Sequence, residues 1–210
     1  MSFFAMVDGD LPLRDRSRWA GEILSQSRVA MTEDDVHSVV VGLSEQIRQD
    51  LCVLYPVVIS VMSGSLMFSS DLLRFFDFPI DFDYLDVSRY RRSIDPSDIR
   101  WYSMPRISLL GRHVLLIDDI LDQGITLRAV YEWLVGQEVK SVRIAVLCER
   151  QIDNQDVRIR ADYVGFKVCG DAFVFGYGMD IYGFWRNLPA VYAYDRTSVT
   201  AFSETKEDGF

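Results

Sequence analysis

Between residues 32 and 51 apolar side chains recur at Val36, Val39, Val40, Leu43, Ile47 and Leu51. That is the three-and-four spacing of one helix face. Thr32 followed by Glu33, Asp34 and Asp35 supplies a cap and an acidic first turn, so the pattern predicts a helix beginning there. Tyr55-Pro56 breaks it, and residues 57–62 form a short β-rich run. Ser63-Gly64-Ser65 reads as a turn into a helix over 66–76, and residues 81–86 alternate well enough for a strand. The runs 114–117 and 142–147 read as buried parallel strands. Between them the chain is helical from about Thr126 through Val130 and Leu134. Residues 163–166 and 173–177 are two further short strands, and residues 11–30 a loose helical lead-in. Residues 93–106 carry Pro96 and Pro105 without a clear period and read as a long loop, as do the polar residues 151–160.

Strands alternating with helices predict an α/β fold with a mainly parallel core sheet flanked by helices. No repeat or linker divides the chain, so residues 1–210 read as one domain, with a polar, acidic and flexible tail over 197–210. Ligands of such sheets bind beyond the carboxyl ends of the strands, where the Ser63 turn and the residues from Asp118 onward would lie.

Composition narrows the chemistry. At 49% hydrophobic and 25% charged, the 210 residues suit a well-filled globular core. A net charge of -9 lacks the basic face that nucleic-acid binding requires. Three widely spaced cysteines and two histidines show neither a disulfide framework nor zinc-ligand spacing. The N-terminal residues lack a basic stretch and reach an acid by Asp8, unlike a secretory signal. No apolar run is long enough to span a bilayer. These features predict a soluble cytoplasmic protein.

The most telling stretch is residues 113–127. An apolar strand leads into adjacent acids, Asp118 and Asp119; Asp122 follows, then Gln123-Gly124-Ile125-Thr126 opens a helix. Adjacent carboxylates at a strand end repel each other and lose solvation, so folding alone gains little from them. A sugar hydroxyl or a bound cation relieves that repulsion, while the backbone N–H groups at the helix start favour an anion. A phosphorylated sugar carries both features. The plain alternative is a helix cap beside two solvated acids. The spaced glycines and lysine of a P-loop are missing.

Residues 114–127 resemble the phosphoribosyl-pyrophosphate signature of the type I phosphoribosyltransferases: apolar strand, two acids, two apolar residues, an acid, then a Gly/Thr phosphate loop. The resemblance extends over about residues 32–193. Residues 161–166, 173–180 and Phe184-Trp185-Arg186 are similar to the C-terminal part of the 6-oxopurine branch, the hypoxanthine-guanine phosphoribosyltransferases. It implies a small hood over the sheet, built from the N- and C-terminal segments, and the transfer of a phosphoribosyl group to hypoxanthine or guanine. Asp118 and Asp119 would hold the ribose hydroxyls, and Asp122 would face purine N7 as general base. Asp122, Gln123, Gly124, Ile125 and Thr126 would cradle the 5′-phosphate. Arg150, Phe173 and Val174 would form the purine pocket, with Phe173 stacking and Val174 offering backbone groups. Ser63, Gly64 and Arg186 would bind pyrophosphate, Asp180 would bind Mg²⁺, and Arg89 and Tyr90 would begin a mobile closing loop with Arg91. A homodimer or homotetramer is also implied.

Four positions depart from the family pattern. Arg150 stands where a lysine usually meets the purine O6, and its planar fork is larger and cannot lose a proton. Gln123 and Ile125 replace hydroxyl and basic residues of the phosphate loop, and Ser63 stands where some relatives carry lysine. These departures keep a second class open, a non-catalytic regulator that senses phosphoribosyl pyrophosphate. A phospho-receiver domain also places acids after a strand, but it leaves residues 161–186 unexplained.

Overall fold

A computed structural model describes residues 13–89, 99–151, 159–170 and 172–195. In chain order the elements are α1 (Leu13–Ser25), β1 (Arg28–Met31), α2 (Glu33–Leu51), β2 (Val57–Met62), α3 (Leu66–Leu73), β3 (Asp81–Arg89) and β4 (Ile99–Ser103). They continue with β5 (His113–Leu121), α4 (Ile125–Gly136), β6 (Ser141–Arg150), β7 (Tyr163–Val168), β8 (Phe173–Phe175) and β9 (Val191–Tyr194).

The six-stranded sheet has the order β4-β3-β2-β5-β6-β7, parallel except for the edge strand β4. Its central strands are apolar on both faces because both are covered. Helices α2 and α3 close one face over Val58, Leu115, Ile117, Ala145 and Leu147. Helix α4 closes the other over Val57, Ile59, Val114, Leu116, Ile144 and Val146. The α2 cap forms as the sequence predicts: the Asp35 amide donates to Thr32 Oγ1 at 3.2 Å, and the Thr32 amide donates to Asp35 Oδ2 at 3.0 Å.

Above the carboxyl ends lies the expected hood, an antiparallel three-stranded sheet ordered β1-β9-β8. It joins an N-terminal strand to two C-terminal ones, and α1 packs on it through a separate cluster around Ile23, Phe175, Ile181 and Tyr194. Among the described residues no helix is long and apolar enough to cross a membrane.

Several elements differ from the sequence reading. The helical lead-in ends at Ser25, and residues 28–31 form β1, whose four residues are exposed or half-exposed and therefore carry no apolar alternation. Strand β4 occupies part of the expected 93–106 loop, with Trp101 packed against Trp133 of α4 at 5.7 Å. Strand β9 was not foreseen, and α3 stops at Leu73 rather than residue 76. Strand β3 runs on to Arg89, β5 to Leu121 and β6 to Arg150, each past the end of its apolar run. Neighbouring strands supply hydrogen bonds to those extensions, antiparallel β4 to β3 and parallel partners to β5 and β6, so polar residues remain in strand. The side chain of Arg89, all of Tyr90 and Arg91, and the 197–210 tail lie outside the described residues.

Candidate active site

Chain direction makes the site. From β2 the connection through α3 runs to β3 on one side; from β5 the connection through α4 runs to β6 on the other. The sheet therefore switches direction between β2 and β5, and a crevice opens beyond their carboxyl ends. β5 pairs with β2 only as far as Ile117↔Ser60, whereas it continues along β6 to Leu121↔Glu149. The next residues of β5 are Asp118 and Asp119, so the acid pair stands on the strand itself, at the crevice, rather than in a loop after it.

The two acids are held tightly. The Asp119 amide donates to Asp118 Oδ1 at 2.9 Å, and the Ile120 amide to Asp119 Oδ1 at 2.8 Å. Asp118 is buried. Burial and the adjacent Asp119 charge push its carboxyl well above the usual range. Burial also raises Asp119, opposed by hydrogen bonding to Asp118 and by the Arg186 charge. Asp118 is thus the member that holds a proton most readily.

A carboxyl with raised proton affinity binds more protons in the native state, so it lowers stability as pH climbs above the ordinary carboxylate range of about 4. Asp118→Asn is therefore expected to raise the melting temperature of the ligand-free protein at pH 7, by ~3 °C for each kcal/mol regained. The gain should shrink as pH falls and vanish near pH 3, below the ordinary carboxylate value of about 4, where Asp118 is protonated in both states. Melting curves at the two pH values test this; equal gains at both, or a loss at pH 7, would refute it.

Beyond the strand, Gly124 takes the left-handed conformation, φ 76°, as the N-cap of α4. This is the one turn in the loop that a side chain would strain. A glycine cap also offers no side-chain acceptor to the first-turn N–H groups, which suits an anion there. Thr126 lies in that first turn, half-buried.

Two groups of side chains flank the acids. On one side Arg150, at the end of β6, places Nε 3.1 Å from Asp122 Oδ1 and donates from Nη1 to the Gly170 carbonyl at 2.8 Å. Two residues chosen for separate roles, base and purine contact, are thus a direct ion pair. On the other side, the backbone at Gly64 lies so close to the Asp119 carboxylate that a Cβ would overlap it. A Cβ on Gly178 would in turn overlap the Gly64 carbonyl. Arg186 donates to the Gly178 carbonyl and to Asp180 Oδ1, both at 2.6 Å, while Asp180 Oδ2 accepts the Gly183 amide at 2.7 Å. Tyr177 ties this arm to α3 by donating to Asp71 at 2.6 Å. Gly64, Asp119, Asp180 and Arg186 are therefore brought together; Ser63, next to Gly64, is exposed.

Phe173 begins β8, the edge strand of the hood, and lies nearly parallel to Tyr182 with ring centroids 6.2 Å apart. Val174 is buried and paired with Ala193. The sequence reading missed Gly170, Gly178 and Tyr182 as members of this region. Only Gly178 carried a local signal, as one of the alternating glycines Gly176 and Gly178.

Residues 33–182 match the model of the Phosphoribosyl transferase domain. A hypoxanthine-guanine phosphoribosyltransferase of Bacillus subtilis is 33% identical over 165 residues, covering 78% of this chain and 91% of the relative. A hypoxanthine-guanine-xanthine phosphoribosyltransferase of Tritrichomonas foetus is 29% identical over 164 residues, covering 78% and 89%. A crystal structure of a hypoxanthine phosphoribosyltransferase from Staphylococcus aureus superposes with a TM-score of 0.75 at 31% identity, covering 83% of this chain and 94% of that one.

Proposed function

Because the chain belongs to the phosphoribosyltransferase family, we propose that it salvages purines by joining hypoxanthine or guanine to phosphoribosyl pyrophosphate, releasing pyrophosphate. The observation that carries this reading is the placement of two unlike half-sites around one acid pair, Asp118 buried and Asp119 half-buried, at the switch point. The Asp122–Arg150 pair lies on one side, and the Gly64, Asp180 and Arg186 arm on the other. The base and the leaving group meet one carbon, ribose C1′, from opposite faces, and half-sites on either side of the acid pair match that demand.

In the reaction, the bond from ribose C1′ to the pyrophosphate oxygen breaks as the bond from C1′ to purine N9 forms, through an oxocarbenium-like centre. The α4 N-terminus, with Gln123, Gly124, Ile125 and Thr126, holds the 5′-phosphate. Asp118 and Asp119 accept the ribose hydroxyls, which relieves their mutual repulsion and orients C1′. Asp122 takes the proton that leaves the purine at N7. Arg150, anchored on Gly170 and Asp122, is a rigid donor for O6, with Phe173 stacking on the ring and Val174 meeting its edge. Arg186 meets the departing pyrophosphate, with the backbone at Ser63 and Gly64 beside it. Arg89 and Tyr90 would start a covering loop.

Asp180 is the candidate ligand for Mg²⁺, with the Asp119 charge nearby. Among the described residues no three metal-binding side chains gather. One or two hard carboxylates suit an ion that takes its remaining ligands from water and phosphate. Bound there, Mg²⁺ would supply charge neutralisation for the pyrophosphate. A cytoplasmic homo-oligomer, as the family resemblance implies, completes the reading. The net charge of -9 favours no nucleic-acid partner.

The test is an assay of the full chain with phosphoribosyl pyrophosphate, Mg²⁺ and each purine in turn, read by nucleotide formation. Nucleotide from hypoxanthine or guanine is expected. Binding of phosphoribosyl pyrophosphate without purine-dependent pyrophosphate release would reject the enzyme reading in favour of a sensor.

A further inference from the structure

We propose that helix α1 is a brace for the purine-binding wall and that Trp19 is a positioning residue for the base; this rests on the assignment of Phe173 to the purine face. Helix α1, Leu13–Ser25, lies wholly outside the residues 33–182 that match the family domain. It nevertheless grips the hood. The Trp185 indole N–H donates to the Ala20 carbonyl at 2.8 Å. The Trp19 ring leans on Tyr182 at 5.1 Å and meets Phe184 edge-on at 5.5 Å. The Arg16 guanidinium sits over the Phe184 ring at 5.6 Å. Tyr182, nearly parallel to Phe173, completes a run of three rings from α1 to the purine wall.

The segment that these contacts hold is one that needs holding. Tyr182 and Trp185 adopt left-handed conformations, φ 55° and 68°, which cost a bulky residue of order 1–3 kcal/mol each. Such a turn persists only where its surroundings over-determine it. Helix α1 supplies that surrounding by closing the cluster of Ile23, Phe175, Ile181 and Tyr194. Remove the Trp19 ring, and Tyr182 loses a contact that backs Phe173. The pyrophosphate arm has its own anchors. Arg186 on Gly178 and Asp180, and Tyr177 on Asp71, do not involve α1. The arm shares with the braced turn only the Gly183 amide given to Asp180, so the brace acts chiefly on the base.

Steady-state kinetics on the full chain, varying hypoxanthine and phosphoribosyl pyrophosphate separately, test the proposal with Trp19→Ala and Trp19→Phe. Trp19→Ala is expected to raise the KM for hypoxanthine about tenfold. The KM for phosphoribosyl pyrophosphate should stay within about twofold, and Trp19→Phe should restore most of the loss. A hypoxanthine KM that does not move in Trp19→Ala, or two KM values that rise together, would overturn the brace. If Trp19→Ala does not purify, Trp185→Phe removes the N–H given to Ala20 together with part of the ring packed on the hood, and carries the same expectation. Failure of the wild type to form nucleotide would instead sink the enzymatic reading. Hydrogen exchange over residues 172–185 then decides the brace: faster exchange in Trp19→Ala but not Trp19→Phe supports it, and equal exchange refutes it.

Discussion

Asp122→Asn is expected to lower turnover by about two to four orders of magnitude, the usual range for removing a general base. Stability should change little. The Asp122 side chain is 51% exposed, and its partner Arg150 keeps its hydrogen bond to the Gly170 carbonyl. Arg150 is only 15% exposed, so the pair is half-open on the Asp122 side alone, and its loss should cost about 1 kcal/mol, the upper end for open pairs. Asparagine keeps the shape and can still accept from Arg150, but it cannot take the purine proton. The loss should therefore fall on kcat, with the KM for phosphoribosyl pyrophosphate nearly unchanged. Purified variant and wild type, compared at saturating substrate, give the answer directly. Wild-type kcat in Asp122→Asn would remove Asp122 from the chemistry.

Gly178→Ala is expected to damage the pyrophosphate side as severely. Gly178 has φ 98°, and its Cβ would overlap the backbone carbonyl of Gly64, which no rotamer change relieves. The arm would have to withdraw from the Ser63-Gly64 turn, and Arg186, held by the Gly178 carbonyl, would move with it. Asp119 would then lose the nearby positive charge that opposes the rise in its proton affinity. A stability loss of ~2–4 kcal/mol and an affinity loss for phosphoribosyl pyrophosphate on the order of 100-fold are expected. Gly183→Ala is the control. Its φ is 84°, but nothing lies within 4 Å of the added Cβ. It should cost only ~1 kcal/mol and leave affinity intact. Melting temperatures and calorimetric titration separate the two. Identical behaviour of Gly178→Ala and Gly183→Ala would show that close approach to Gly64 is unimportant.

How far the site was legible depended on how far apart its parts lie in the chain. Asp118, Asp119, Asp122 and Gly124 fall within seven positions on one strand and its turn. Their meaning was readable because adjacent acids before a glycine-capped helix start make little sense without a ligand. Arg150, Phe173, Asp180 and Arg186 were assigned only through resemblance to a family, since a lone aromatic or ion carries no local signature. The resemblance placed Arg150 at the purine but not against Asp122, because that contact depends on β5 and β6 running side by side to the crevice. Strand ends were misjudged for a related reason. Apolar runs mark where a strand is buried, whereas pairing continues as far as a neighbour offers hydrogen bonds, so Asp118 and Asp119 stayed in strand.

The short strands β1 and β9 illustrate the limit from another side. They pair across more than 150 positions, Arg28 with Ala193, and four residues with little buried surface leave no periodic trace. Periodicity, turn chemistry and the acid-rich strand end were determined by the sequence itself, because they depend on neighbours within a turn or two of chain. Tertiary structure alone decided the joining of Gly64 to Gly178, Asp71 to Tyr177 and Ala20 to Trp185. Those contacts arise when two layers of helices and a hood close on one sheet, and no spacing along the chain encodes them. The physical reason is that burial couples residues by the shape of the packed core, in which separation along the backbone plays no part.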